Sequence, residues 1–220
     1  MKKILALMLA TLVLCVSLVA CGNADNNDTP ATSEPGTSES VPSEKDLAAA
    51  ASVEKIATAL INKYAEYTGM KDTYDQYMAE LSEEDQIPYE EYLTQVLYVG
   101  PVDLSAGDEL WLQGFTEAPT GFSEAYCYQP MMMGQAFIGY IFRVDEDTDV
   151  EDFKKTLTET CDPRWNICTM ANTTVCESYG DLVYFSMMVV ADKENPEGFT
   201  AEQKDGFYNT FIESITGSAE

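Results

Sequence analysis

Residues 137–144 read FIGYIFRV. Only Gly139 and Arg143 interrupt an apolar run rich in β-branched and aromatic residues. Eight residues are too few for a buried helix and suit a strand deep inside a sheet. The run therefore predicts a central strand, and the elements on either side can be placed relative to it. Upstream, Ser123 to Gln129 alternates Glu, Ala, Tyr, Cys and Tyr, the pattern of a strand with one wet face. Glu109 to Phe115 reads as a further short strand. Downstream, Thr148-x-x-Glu151 has the form of a helix cap, and Val150, Phe153, Leu157 and Cys161 share one helical face. Thr173–Glu177 and Leu182–Val190 are two more strands around a turn at Gly180. Thr200-x-x-Gln203 caps a last helix with Phe207, Tyr208, Phe211, Ile212 and Ile215 on its face.

The region before residue 100 has a different period. Ser43-Glu-Lys-Asp46 is a capping-box variant followed by four alanines at 48–51. Val53, Ile56, Ala57, Leu60, Ile61 and Tyr64 then form one helical stripe, with Gly69 as its stop. Tyr74, Tyr77, Met78 and Leu81 continue at helical spacing. Pro88 opens a third helix carrying Tyr89, Tyr92, Leu93, Val96 and Leu97, and Gly100-Pro101 ends it. The order of elements implies an α+β domain over residues 46–220, with a helical part (46–100) and a sheet-containing part (101–220). Short connections favour an antiparallel sheet of about four to five strands with helices on one face, one of them the helix near 150–161. No internal repeat occurs at a fixed period.

The N-terminus carries an address. Lys2 and Lys3 precede an apolar run from Ile4 to Val19, and Leu18-Val19-Ala20-Cys21-Gly22 follows. This is a secretory signal, shorter than a comfortable transmembrane helix. Leu-Val-Ala-Cys resembles the lipobox of bacterial lipoproteins. The resemblance implies cleavage after residue 20 and a diacylglyceryl group on Cys21, with the chain held by lipid at the extracytoplasmic face of the cell membrane. Residues 22–45 contain one large aliphatic residue, Val41, among Pro, Ser, Thr, Asn, Asp and Glu. That composition cannot bury a core and predicts a disordered acidic linker. Fully extended, 24 residues span about 80 Å.

A second resemblance lies in the sheet region. "QPMMMGQAFIGYIFRV", an acidic turn, a helix and "TTVCESYGDLVYFSMM" together resemble an uncharacterised extracytoplasmic domain of Gram-positive lipoproteins, over roughly residues 120–190. The resemblance rests on element order and texture. It implies location and fold class, and it brings no activity with it.

Composition excludes several chemistries. The chain has 38 acidic and 12 basic residues and no histidine. Loss of residues 1–20 removes Lys2 and Lys3, so the mature net charge is near −28. Such a surface repels nucleic acid and anionic headgroups, and the membrane partner must be reached through covalent lipid. Without histidine there is no Ser-His-Asp or Cys-His catalysis. No phosphate-binding glycine fingerprint occurs. Asp145-x-Asp147-x-Asp149 opens like a calcium loop, but Val150 and Thr156 stand where glycine and a bidentate glutamate belong. Met131-Met132-Met133 cannot all face one ion on a strand, so core packing accounts for them better than copper ligation. No cofactor and no metal are expected.

Two sets of residues remain as candidates. Seven of 13 tyrosines lie between residues 64 and 98. Their spacing suits a half-buried packing face, and the rival reading is a groove in which Tyr74, Tyr77, Tyr89 and Tyr92 stack on sugar or peptide. Cys127, Cys161, Cys168 and Cys176 are an even set outside the cytoplasm. Cys161–Cys168 is the first expected disulfide and Cys127–Cys176 the second, with four reduced thiols as the alternative. The expected function is a non-catalytic binding or accessory domain whose partner is an envelope protein or small ligand. A structural subunit of an envelope complex, or a carboxylate-dependent cell-wall hydrolase, are the alternatives.

Overall fold

The computed structural model describes residues 42–131, 135–166 and 168–217. The signal segment, Cys21 and most of the linker lie outside the described residues, as do Met132 and Met133. Val41–Glu220 form one compact unit. In chain order the elements are α1 (Glu44–Ala50), α2 (Val53–Tyr67), α3 (Met70–Ala79), α4 (Tyr89–Val96) and β1 (Leu97–Pro101). A 3₁₀ turn (Leu104–Glu109) follows, then β2 (Phe122–Pro130), β3 (Phe137–Val144), α5 (Val150–Thr160), β4 (Thr173–Tyr179), β5 (Leu182–Met188) and α6 (Ala201–Thr216). The five strands make one antiparallel sheet in the order β1-β2-β3-β5-β4. The fold is α+β, with a helical segment ahead of the sheet.

FIGYIFRV is β3, at the centre, and every residue but Arg143 is buried. Helices cover both sheet faces, where one covered face was expected. Ile56, Leu60 and Tyr64 of α2 and Phe207, Phe211 and Ile215 of α6 lie over Tyr128, Ile141 and Tyr184. Phe153 and Leu157 of α5, with Leu112 and Phe115, lie over Ile138, Tyr140, Phe142 and Phe185. A strand apolar at nearly every position has no wet face and demands two covers. Gly139 admits the Tyr128 ring from the neighbouring strand: a Cβ there would fall 2.1 Å from the ring.

Both capping boxes form, at Ser43–Asp46 and Thr200–Gln203. The cap of α5 is Asp149, one residue later than expected. Its carboxylate accepts from the N–H groups of Glu151 and Asp152, both at 3.0 Å, while Thr148 closes the preceding turn with its N–H on the Asp145 carbonyl. Helix α1 starts at Glu44, just ahead of residue 46, and the Glu44 carboxylate accepts a bond from the Gly180 N–H at 2.8 Å.

Three further boundaries differ from the expectation. The stripe from residue 46 to 69 is two helices broken at Ala51, which is extended and followed by a Ser52 cap. The carbonyls freed at that break are taken by Arg143 of β3, at 3.1 Å to Ala48 and 2.7 Å to Ala51. Leu97, expected at the end of a helix, starts edge strand β1, paired with Pro130. Pro101 fits there because an edge strand does not need every N–H. Residues 109–115 are not a strand. Leu112 and Phe115 enter the same core cluster, and a period-two strand would put residues three apart on opposite faces.

Candidate functional site

Leu97, Pro130, Phe137, Met188 and Thr173 mark one end of the sheet. Three segments meet there: the turn from β2 to β3, the connection from β1 to β2, and the connection from α5 to β4. The second and third are tied together. Thr116 and Asp162 N–H groups donate to the Thr160 and Gly114 carbonyls, each at 2.8 Å, and Phe115 bridges Cys161. Between them and the sheet end lies a hollow of about 640 Å³, in the size range of ligand pockets.

Its walls are aromatic and amide. Trp165 and Tyr98 supply rings, and Gln113, Gln129, Gln135 and Asn166 supply side-chain amides, with Pro130, Met131, Phe137 and Cys168 between them. Three of the chain's seven glutamines and one of its two tryptophans are here. None of the ten lining residues is Asp, Glu, Lys or Arg, in a chain that is 23% charged.

Each amide is held by one contact, and part of its capacity is left over. Gln129 Nε2 donates to Gln113 Oε1 at 2.9 Å, and the Gln113 main-chain carbonyl accepts from the Tyr140 hydroxyl at 2.8 Å. Gln135 Nε2 donates to the Glu197 carbonyl at 2.8 Å. Asn166 Oδ1 accepts the Cys168 N–H at 3.1 Å. What these bonds leave is the Gln113 and Asn166 amide donors and the Gln129 and Gln135 carbonyl oxygens. Tyr98 lies flat along β1 because residue 100 is glycine: a Cβ there would sit 2.3 Å from the Tyr98 hydroxyl.

Tyr98, Gln113 and Gln129 form a ridge, since they also line a second hollow of about 380 Å³ with Cys127, Tyr140 and Asp103, whose carboxylate accepts the Ser105 N–H at 2.9 Å. The rim is apolar and open to solvent: Trp111 is 73% exposed, Met131 57% and Tyr98 40%. On the other side, Gln135 and Cys168 border a third hollow of about 730 Å³ that includes Asp192, Glu194 and Glu197. Asp192 is committed to its own loop. It accepts from Glu194, Asn195 and Asn172, and the Asn195 N–H bonds hold its carboxyl below the usual range.

The tyrosines of the rival, ligand-stacking reading lie elsewhere. Tyr74, Tyr89 and Tyr92 pack on one another, with ring centroids 5.1 to 6.3 Å apart. The Tyr74 hydroxyl donates to the Ile87 carbonyl at 2.6 Å, and Lys71 sits over the Tyr74 and Tyr89 rings. Tyr77 is 51% exposed and outside this cluster. None of the hollows described above is lined by these four residues.

Among the described residues the four cysteines are free thiols, and neither expected disulfide is formed in this structure. Cys127 on β2 and Cys176 on β4 are three strand spacings apart, about 14 Å, beyond disulfide reach. Burial pushes both thiols up to about 12, with Lys154 opposing the shift at Cys176. Cys161 donates to the Thr158 carbonyl at 3.3 Å. The turns after it, Trp165 N–H to Asp162 and Ala171 N–H to Pro163, carry the chain outward, and Cys168 is exposed at the hollow's rim. The acidic run 145–149 forms the turn into α5. Among the described residues no group of three or more carboxylates and thiols could hold a metal ion.

The residues missed in the sequence are Gln113, Gln129, Gln135, Trp165 and Asn166. The one signal was three glutamines between residues 113 and 135 in a chain with seven. Among the described residues no helix is long and apolar enough to cross a membrane. Comparison with known protein families, curated proteins and solved structures finds nothing that matches the chain.

Proposed function

We propose that this chain is a lipid-anchored, extracytoplasmic, non-catalytic binding domain, and that the hollow at the sheet end takes its ligand. The signal segment with Cys21 and the acidic tract after it support the anchor. One observation carries the choice of site: a neutral lining of rings and half-satisfied amides inside a strongly acidic chain. A cationic ligand would be met by carboxylates and an anionic one by lysine or arginine. This lining offers neither, and it offers no carboxylate that could act as a general acid. A scaffold surface would be a flat apolar patch. Here two exposed apolar side chains, Tyr98 and Met131, line a concavity together with amides.

The test is titration of the mature chain with uncharged probes of three kinds: sugars, blocked dipeptides and nucleosides. The Trp165 indole N–H is followed by NMR. Saturable movement of that signal with one kind of probe, lost in Gln129→Ala, is the expected result. No movement with any of the three refutes the site.

A further inference from the structure

We infer that the ligand is a neutral oligosaccharide, bound across the Tyr98–Gln113–Gln129 ridge so that sugar units occupy the hollows on both sides. This rests on the site proposed above and names its ligand class.

The leftover hydrogen-bonding groups define the ligand's chemistry. Gln113 and Asn166 offer donors, and Gln129 and Gln135 offer acceptors. A mixed set without charge suits hydroxyls, which both donate and accept. A peptide in the extended form is taken by main-chain groups of one edge strand. Here the polar groups are side-chain amides drawn from separate segments: the β1–β2 connection, β2, the β2–β3 turn and the α5–β4 connection. Vicinal hydroxyls of a pyranose suit side-chain amides, which carry a donor and an acceptor on neighbouring atoms. The indole of Trp165 and the flat-lying Tyr98 give apolar faces for the C–H side of the sugar.

Length follows from the ridge. Tyr98, Gln113 and Gln129 face two hollows, of about 640 and 380 Å³. A ligand that touches the ridge from both sides must be a chain rather than one ring. The chain's charge adds a selectivity: uronic acid oligomers carry negative charge toward a mature chain of net charge near −28 and are disfavoured relative to neutral ones.

The test is calorimetric titration of the full mature chain in mild detergent with neutral β-linked oligosaccharides of one to six units. Parallel arms use oligouronates, blocked neutral tetrapeptides and nucleosides. The expected result is affinity that rises at least tenfold from one unit to three or more. Gln129→Ala, with an unchanged melting temperature, should weaken it about tenfold, as for a lost hydrogen bond left partly unpaired. Gln113→Ala serves the same purpose if Gln129→Ala does not fold. Binding of peptides or nucleosides but not sugars, with the same loss in Gln129→Ala, overturns the ligand class and leaves the site standing. Length-independent sugar binding overturns the chain across the ridge. Silence in every arm overturns both.

Discussion

Replacing Arg143 by methionine should loosen α1 from the sheet. Arg143 is 19% exposed, and its guanidinium holds four groups. It donates to the carbonyls of Ala48 at 3.1 Å and Ala51 at 2.7 Å, and meets Asp181 at 3.0 Å and Glu124 at 3.3 Å. The two carboxylates are 39% and 44% exposed and rehydrate when the arginine leaves, so each contributes less than about 1 kcal/mol. The carbonyl bonds matter more, because a charged donor is worth about 1.5–3 kcal/mol each. The two carbonyl bonds together are worth roughly 3–6 kcal/mol, which for a domain of this size lowers the melting temperature by about 9–18 °C. Arg143→Lys keeps the charge but not the fork, and should recover about half. Thermal unfolding followed by circular dichroism measures both, and hydrogen exchange should show α1 losing protection first. A melting temperature within about 2 °C of the wild type would refute the role given to Arg143.

Other outcomes follow from burial and from the N-terminus. Iodoacetamide on the native, unreduced chain should label Cys168 first and leave Cys127 and Cys176, whose thiols burial pushes up to about 12, protected until unfolding. Unfolding without reductant should then expose all four thiols of the domain, and a pair that stays unlabelled would contradict the free-thiol arrangement. Tyr64 is pushed up to about 12 by burial, and Tyr128, Tyr140 and Tyr184 are raised as well, chiefly by burial. The folded state therefore keeps these protons above the pH near 10 where an unfolded chain loses them. The stability they contribute is complete below pH 10 and falls as pH rises toward 12, by up to about 1.4 kcal/mol per unit for each ring. Tyrosinate absorbance and loss of near-ultraviolet dichroism should appear together; ionisation of all tyrosines in a chain that stays folded would contradict this. Cys21→Ser should leave uncleaved precursor or chain shed into the medium, and mass spectrometry that finds no lipid on the wild-type N-terminus would count against the anchor.

The sheet was legible where one periodicity ruled. FIGYIFRV could only be a buried strand, and the pairs Ser43–Asp46 and Thr200–Gln203 carry both halves of a capping box. Boundaries failed where tertiary contacts outweighed local pattern. Leu97 fits the stripe of α4, yet pairing with Pro130 makes it strand. The break at Ala51 is stabilised by an arginine 92 residues away in sequence, which no local window can see. Residues 109–115 look like a strand because Leu110, Leu112 and Phe115 are apolar, but two of them, three apart, turn into one core cluster. The site was hidden for a related reason. Tyrosines at helical spacing draw attention, and Tyr74, Tyr89 and Tyr92 use their rings on one another. Gln113, Gln129 and Trp165 have no common spacing. The fold alone brings them together, through the bonds that tie residues 114–116 to 160–162.

If the neutral hollow at the sheet end takes the ligand, its amides and its indole must sense the ligand directly. The most direct measurement is nitrogen-15 NMR of the full mature chain in micelles, titrated with a neutral β-linked hexasaccharide. Saturable shifts of the Gln113 and Gln129 side-chain amides and the Trp165 indole N–H are expected, with the α3–α4 segment around Tyr74, Tyr77, Tyr89 and Tyr92 unmoved. Shifts confined to that tyrosine segment, or none in the hollow at saturating sugar, would contradict it.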